Sequence, residues 1–216
     1  MDTSLQNIYT YCEAHTFGPT ELLTEVERTT HLKTLAPRML SGHLQGSFLG
    51  MLSMLMKPNV ILEIGTFTGY SALSLCKGLS SEGKLITIEY DAEMAALAEV
   101  AIQKSAYKNQ IQLIIGDAKK VIPTLTETLD MVFIDADKEA YPLYFDLVID
   151  KCRSGALIIA DNVLWSGKVA EEIKDMKTAQ IDAFNKKILA DDRVEQVILP
   201  IRDGLHDTGW RSRVQR

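Results

Sequence analysis

Cysteine is scarce and badly placed for pairing: Cys12, Cys76 and Cys152 are odd in number, far apart and set in apolar or helical patterns. Neither a disulfide framework nor a zinc site is suggested. The opening residues Met1-Asp2-Thr3-Ser4-Leu5-Gln6 lack the basic region and apolar core of a secretion signal. Together these absences fit a mature chain that begins at Met1 and works in a reducing cytoplasm. No run is apolar enough for a bilayer. Met39 to Met56 is uncharged and rich in Leu and Met, but Ser41, Gly42, His43, Gln45, Gly46 and Ser47 make it too polar, and a buried helix is expected. Positive charge is short as well: 23 Lys and Arg against 29 Asp and Glu leave a net charge of -6, which argues against a broad phosphate-binding face. The four histidines, His15, His31, His43 and His206, have no metal-ligand spacing, and His43 on its apolar helix is expected to be buried and satisfied. Linkers, low-complexity tracts and internal repeats are missing too.

What is there is a chain of 216 residues, 46% hydrophobic, long enough for one substantial core. One domain is expected, with a helical preface over 1–58 and an α/β core over 59–216. In the preface, apolar and charged positions alternate helically, broken at Phe17-Gly18-Pro19. It reads as a lid, a subunit contact or simple packing on the sheet. A further helix after Pro37 presents Leu40, Leu44, Phe48, Met51, Leu52 and Leu55 and leads to Pro58. Then alternation becomes regular. Strands are predicted at 60–64, 84–89, 111–115, 131–135, 156–161 and 194–199, with helices at 70–79, 92–105, 118–125, 139–152 and 174–190 and a loop at 163–170. Repeated strand-then-helix order with apolar strands predicts a parallel sheet covered on both faces.

The stretch Ile61-Leu62-Glu63-Ile64-Gly65-Thr66-Phe67-Thr68-Gly69-Tyr70-Ser71 reads as a buried strand turning into a helix. Gly65 and Gly69 permit tight backbone angles and close approach of a ligand. A dinucleotide fingerprint needs Gly-x-Gly-x-x-Gly and a P-loop needs Gly-Lys-Ser or Gly-Lys-Thr; this turn has neither. A carboxylate beside exposed backbone N–H groups at the carboxyl edge of such a sheet suits a ligand with a cationic amine and hydroxyls. Acids recur at these edges: Glu63, Glu89, Asp117, Asp135 and Asp161 each end or follow a strand. Capping explains some of them, but Glu89 is not a favoured cap. Glu89 lies 26 positions beyond Glu63, roughly where an acid on a second strand accepts hydrogen bonds from a ribose diol. The Gly116-Asp117-Ala118 turn then flanks the base.

The acid-x-Gly-x-x-x-Gly turn resembles the first motif of class I S-adenosylmethionine-dependent methyltransferases. More specific are Asp135-Ala136-Asp137-Lys138-Glu139-Ala140-Tyr141 and Asp161-Asn162-Val163-Leu164-Trp165-Ser166-Gly167. With the late Leu199-Pro200-Ile201-Arg202-Asp203-Gly204, they resemble the cation-dependent O-methyltransferases typified by caffeoyl-coenzyme A and catechol O-methyltransferases. The likeness runs from about Leu40 to Leu205. It implies a Rossmann-like, doubly wound α/β fold with a mostly parallel seven-stranded sheet, and a homodimer. It implies S-adenosylmethionine contacts from Glu63, Gly65, Thr66, Ser71, Glu89, Ala118 and Asp137. Ser41 either closes the methionine end of that site or caps its helix. Asp135, Asp161 and Asn162 become ligands of Mg2+, Mn2+ or Ca2+, and three hard oxygen donors from neighbouring strand ends suit such ions and not a thiolate-loving metal. Tyr70 reads as packing, Trp165 as packing or a substrate wall, and Ser166 as an acceptor contact.

The reaction so implied carries a sulfonium methyl to one hydroxyl of a vicinal dihydroxy aromatic. A phenol ionises near pH 10, so a divalent ion is needed to acidify it. Lys138 is the candidate base, since an ammonium near a dication is disfavoured; the alternative is a surface lysine opening the next helix. Some relatives methylate a hydroxylated uridine in transfer RNA, which the acidic total disfavours and the tail arginines Arg211, Arg213 and Arg216 favour. A non-catalytic cofactor-binding or assembly protein is the remaining alternative. Two departures stand out. Ser166 replaces the asparagine common in plant members, so a coenzyme A ester is not assumed. His206-Asp207-Thr208-Gly209-Trp210 reads as a turn before a basic tail, where the family closes with a short edge strand.

Overall fold

The computed structural model describes residues 3–210 of the chain. The preface forms α1 (Thr3–Ala14), α2 (Glu21–Lys33) and α3 (Gly42–Met56), with the break between the first two at Gly18-Pro19 as the sequence predicts. The Thr20 hydroxyl caps α2 by accepting from Leu23 N. Then come β1 (Val60–Ile64), α4 (Tyr70–Leu75), β2 (Lys84–Glu89), α5 (Ala92–Lys104), β3 (Ile111–Ile115), α6 (Ala118–Val121) and β4 (Leu129–Ile134). The chain continues through α7 (Tyr141–Ile149), β5 (Cys152–Asp161), α8 (Met176–Ala190), β6 (Val194–Leu199) and β7 (Leu205–Trp210). No helix among the described residues is long and apolar enough to cross a membrane.

The seven strands form one sheet in the order β3-β2-β1-β4-β5-β7-β6. The first five are parallel, and β7 runs antiparallel to both β5 and β6. Because side chains alternate across a strand, adjacent apolar residues serve opposite layers. Ile61, Met131, Phe133 and Ile159 pack with Leu49 of α3 and Ala72 and Leu75 of α4. Leu62, Ile64, Val132, Ile134 and Ile158 pack with Tyr141 and Phe145 of α7 and Phe184 of α8. Continuous apolar strands are therefore required, and the doubly wound architecture follows. Asp130 pins the far end of the sheet: its carboxylate accepts from Asn59 N and Val60 N, both at 2.8 Å, and pairs with Arg153.

Three expectations need correction. Residues 206–210 are not a turn but belong to β7, an interior strand between β5 and β6. Both faces of β7 are covered, with Leu205 on the α3 side and His206 packed edge-on to Phe184 on the other, so no polar-apolar alternation betrayed it. His43 is half-buried and not satisfied: its Nε2 has no hydrogen-bond partner among the described residues. The helix predicted over 139–152 is a short turn at Lys138–Ala140 followed by α7, since β5 already begins at Cys152. The tail arginines lie outside the described residues.

Helix α3 reaches the sheet through the end of α4. Ser53 Oγ donates to Leu75 O at 2.6 Å, and a Cβ added to Gly78 would lie 2.0 Å from the Ser53 carbonyl carbon. Backbone cannot yield as a side chain can, so Gly78→Ala is expected to destabilise the fold by about 3 kcal/mol. Urea unfolding followed by far-UV circular dichroism measures this; an unchanged midpoint contradicts the packing described.

Candidate active site

The loops leaving the carboxyl ends of β1 to β5 surround one cavity of about 1250 Å³, bordered also by residues 33–41 and by Arg202 and Asp203. This is the edge at which parallel α/β sheets bind ligands. Ser41, Gly65, Thr66, Ser71, Glu89, Ala118, Asp135, Asp137, Lys138, Asp161, Asn162, Trp165 and Ser166 all line it. Of the sequence-predicted set only Glu63 does not; it lies behind the wall, fully buried. Tyr70 and Trp165 pack in the core as well as bordering the cavity.

The floor is the turn after β1. Gly65 has φ +97°, and a Cβ there would stand 1.9 Å from Asp135 O. The backbones after β1 and β4 thus touch with only a hydrogen between them. Gly65 N donates to Ile88 O at 2.9 Å and Asp135 N to Ile64 O at 2.9 Å, which binds three strand ends together. Beneath lies a chain of hydroxyls. Thr87 Oγ1 donates to Glu63 Oε2 at 2.5 Å, and Thr66 Oγ1 lies 2.5 Å from Thr87 Oγ1. Thr87 has one proton, so when it serves Glu63 it is Thr66 that donates to Thr87. Glu63 Oε1 has no partner among the described residues. Burial pushes the Glu63 carboxyl up to about 8, against the neighbouring Ser71 and Thr87 hydroxyls, which hold it down.

On the second strand the Glu89 carboxylate is fixed at both oxygens, by Phe67 N at 2.7 Å and Asp91 N at 2.9 Å. Capping accounts for other acids, as the composition of strand ends suggested. Asp91 caps α5, Asp117 caps α6, Asp137 caps the turn at Lys138–Ala140 and Asp175 caps α8. Ser41 stands at the start of α3 with αR geometry and makes no side-chain cap, so its hydroxyl is not spent on the helix.

Asp135 and Asp161 are different, because neither caps a helix. Asp135 Oδ1 accepts from Lys138 Nζ at 2.8 Å. Lys138 Nζ also donates to Tyr141 Oη at 2.7 Å. Tyr141 is wholly buried, and Ile134 O at 3.1 Å and Asp161 O at 3.0 Å both lie within reach of its one proton. It thereby ties the ends of β4 and β5 to the lysine. The Asp161 carboxylate, itself buried, accepts from Asn162 N at 2.7 Å through Oδ1 and from Gln45 Nε2 at 2.7 Å through Oδ2. Burial, then the charge of Asp135, push its carboxyl upwards. A buried carboxylate beside a second, part-exposed one forms a place where a cation is stabilised. Among the described residues no group of three or more His, Cys, Asp or Glu side chains gathers to hold a metal. The donor set is a carboxylate pair plus the neighbouring Asn162 amide, all hard oxygens, and it fits a small divalent cation with coordination positions left over.

Strain is concentrated here. Phe67, Asn162, Trp165, Ser166 and Arg202 have φ between 49° and 59°, a region that costs L-residues of order 1–3 kcal/mol each, and all five border the cavity. Asp203 fixes part of this geometry by accepting from Ser166 N. Sequence reasoning missed Gln45 and the clamp made by Arg202, which reaches Leu40 O at 2.7 Å, Ser41 O, and Gln45 Oε1 at 3.1 Å. A glutamine on an apolar helix was the available signal: it is fully buried and so demands partners.

The chain is similar to known proteins over most of its length. The model of a family described as O-methyltransferase matches residues 13–208. A catechol O-methyltransferase of Niastella koreensis is 39% identical over 160 residues, 72% of each chain. A flavonoid 3',5'-methyltransferase of Vitis vinifera is 36% identical over 174 residues, 74% of each. The crystal structure of Podospora anserina methyltransferase PaMTH1, with SAH bound, superposes with a TM-score of 0.89 at 27% identity, covering 98% of this chain and 97% of that one.

Glu63 gives the ligand-free chain a pH signature. Its folded value is raised above the unfolded one, so its contribution is complete below about pH 4.5 and is lost as pH rises through about 8. Urea unfolding at pH 5 and pH 8 should show Glu63→Gln gaining on the unsubstituted protein at the higher pH by roughly 2–4 kcal/mol. A difference independent of pH would mean that Glu63 is not protonated on folding.

Proposed function

The chain belongs to the class I S-adenosylmethionine-dependent O-methyltransferase family, and on that premise we propose that it methylates one hydroxyl of a catechol-like aromatic with the help of a divalent cation. The observation that carries this reading is the Asp135 and Asp161 pair at adjacent strand ends, with Asp135 in backbone contact with the glycine turn. When bound, the donor supplies an electrophilic methyl and the cation supplies the acidity that a phenol lacks at neutral pH.

The residues divide the work by position. Gly65 and Thr66 open the floor for the methionine portion, which Ser41 and Ser71 border from α3 and α4. Glu89, with two backbone donors already fixing its rotation, offers its remaining lone pairs to the ribose diol. Ala118, only 7% exposed, gives the base a small, flat neighbour. Asp137 borders the same end. Asp135, Asp161 and Asn162 would hold the cation. Lys138 Nζ, held by its bonds to Asp135 and Tyr141, would take the proton leaving the acceptor oxygen from its neutral amine form. Trp165 and Ser166, on their strained turn, border the acceptor. Proximity supplies much of the rate, since donor and acceptor meet on one sheet edge. The relatives named for catechol and flavonoid support a small vicinal diol. A hydroxylated uridine in transfer RNA is the competing acceptor.

A panel of catechol, hydroxycinnamates and transfer RNA bearing hydroxylated uridine, each assayed with S-adenosylmethionine, tests the reading. Methylation of the small diols should vanish with EDTA and return with Mg2+, and Asp161→Asn should lower it by roughly 100-fold. Turnover indifferent to EDTA, or confined to the RNA, contradicts it.

A further inference from the structure

Gln45 is a neutral amide with no exposure to solvent, lodged between a cation and an anion. Its Nε2 donates to Asp161 Oδ2 at 2.7 Å, and its Oε1 accepts from Arg202 Nη1 at 3.1 Å. Arginine carries donors only and an ionised carboxylate acceptors only. The reverse amide orientation would set NH2 against guanidinium and oxygen against carboxylate, so the orientation is unique. Arg202 is itself immobilised. Its guanidinium donates to Leu40 O at 2.7 Å, to Ser41 O and to Arg38 O at 3.3 Å, and its backbone N–H donates to Tyr9 Oη on α1. Its charge is thus directed mainly onto backbone carbonyls.

This arrangement solves a specific problem. A buried carboxylate that is to hold a cation needs its rotation fixed, yet a direct arginine partner would neutralise the charge that the cation requires. A neutral amide transmits orientation without cancelling charge. Resting on the reading that Asp161 is a cation ligand, we propose that Gln45 is a positioning residue for the Asp161 carboxylate, with Arg202 setting its amide. Asn162 N holds the other oxygen, so the two donors between them define the plane of the carboxylate. The N-terminal helix, the loop at 200–203 and the start of α3 converge on this amide, which gives the preface a role in the chemistry of the opposite strand end.

The test measures Mn2+ affinity by calorimetry in the absence of acceptor, alongside the affinity for S-adenosylhomocysteine. Gln45→Met keeps the volume and removes both polar contacts. It is expected to weaken Mn2+ roughly 10- to 100-fold while the S-adenosylhomocysteine affinity stays within about twofold. Arg202→Met, which frees the amide without touching Asp161, should weaken Mn2+ by a smaller factor and keeps the test open if Gln45→Met does not fold. Unchanged Mn2+ affinity in whichever of the two folds, or an equal loss of both ligands in Gln45→Met, overturns the positioning role. Failure of the unsubstituted protein to bind Mn2+, or full binding by Asp161→Asn, overturns the cation reading beneath it as well.

Discussion

Everything at the carboxyl edge of the sheet depends on a contact with no side chain in it. At Gly65 the turn after β1 approaches the Asp135 carbonyl so closely that a Cβ would sit 1.9 Å away. Any other residue would push the two loops apart. A displacement of about 1 Å between reacting partners is enough to cost orders of magnitude in rate. The parallel register of β1 with β4, Ile64 opposite Ile134, brings the two loops to the same height, and the glycine lets them close. Donor turn and acid pair are neighbours for that reason.

Carboxyls at this edge are held mainly by neutral groups. Glu63 and Asp161 are buried carboxyls whose charge is resisted by desolvation, and Lys138 is the only side-chain cation hydrogen-bonded to Asp135 among the described residues. Hydroxyls, amides and backbone N–H groups bear most of the orientation, through Thr66 and Thr87 under Glu63 and through Gln45 and Asn162 at Asp161. These groups aim the carboxylates without neutralising them. Left-handed backbone at five residues around the cavity adds a further destabilisation, tolerated because the two apolar layers on either side of the sheet hold the strand ends rigidly.

The parallel core was legible because its strands are apolar on both faces and its helices follow at regular spacing; Val60–Ile64, Lys84–Glu89 and Ile111–Ile115 were read to the residue. The cavity lining was legible because chemistry at a sheet edge concentrates acids and glycines in short motifs such as Asp135-Ala136-Asp137-Lys138 and Asp161-Asn162. What escaped was long-range. Strand β7 pairs with β5 and β6 by backbone, and its His-Asp-Thr-Gly sequence carries the vocabulary of a turn. Arg202 and Gln45 lie 157 positions apart, and nothing local announces that they meet. Asp130, which holds the first residue of β1 to β4, was likewise invisible until the strands were placed side by side.

Asp135, Asp161 and Asn162 are proposed to share one hard cation beside the glycine turn. Anomalous diffraction from crystals grown with Mn2+ and S-adenosylhomocysteine measures it most directly. The account expects a single strong peak within bonding distance of an oxygen from each of the three side chains. A peak elsewhere, or none with S-adenosylhomocysteine in place, would contradict it.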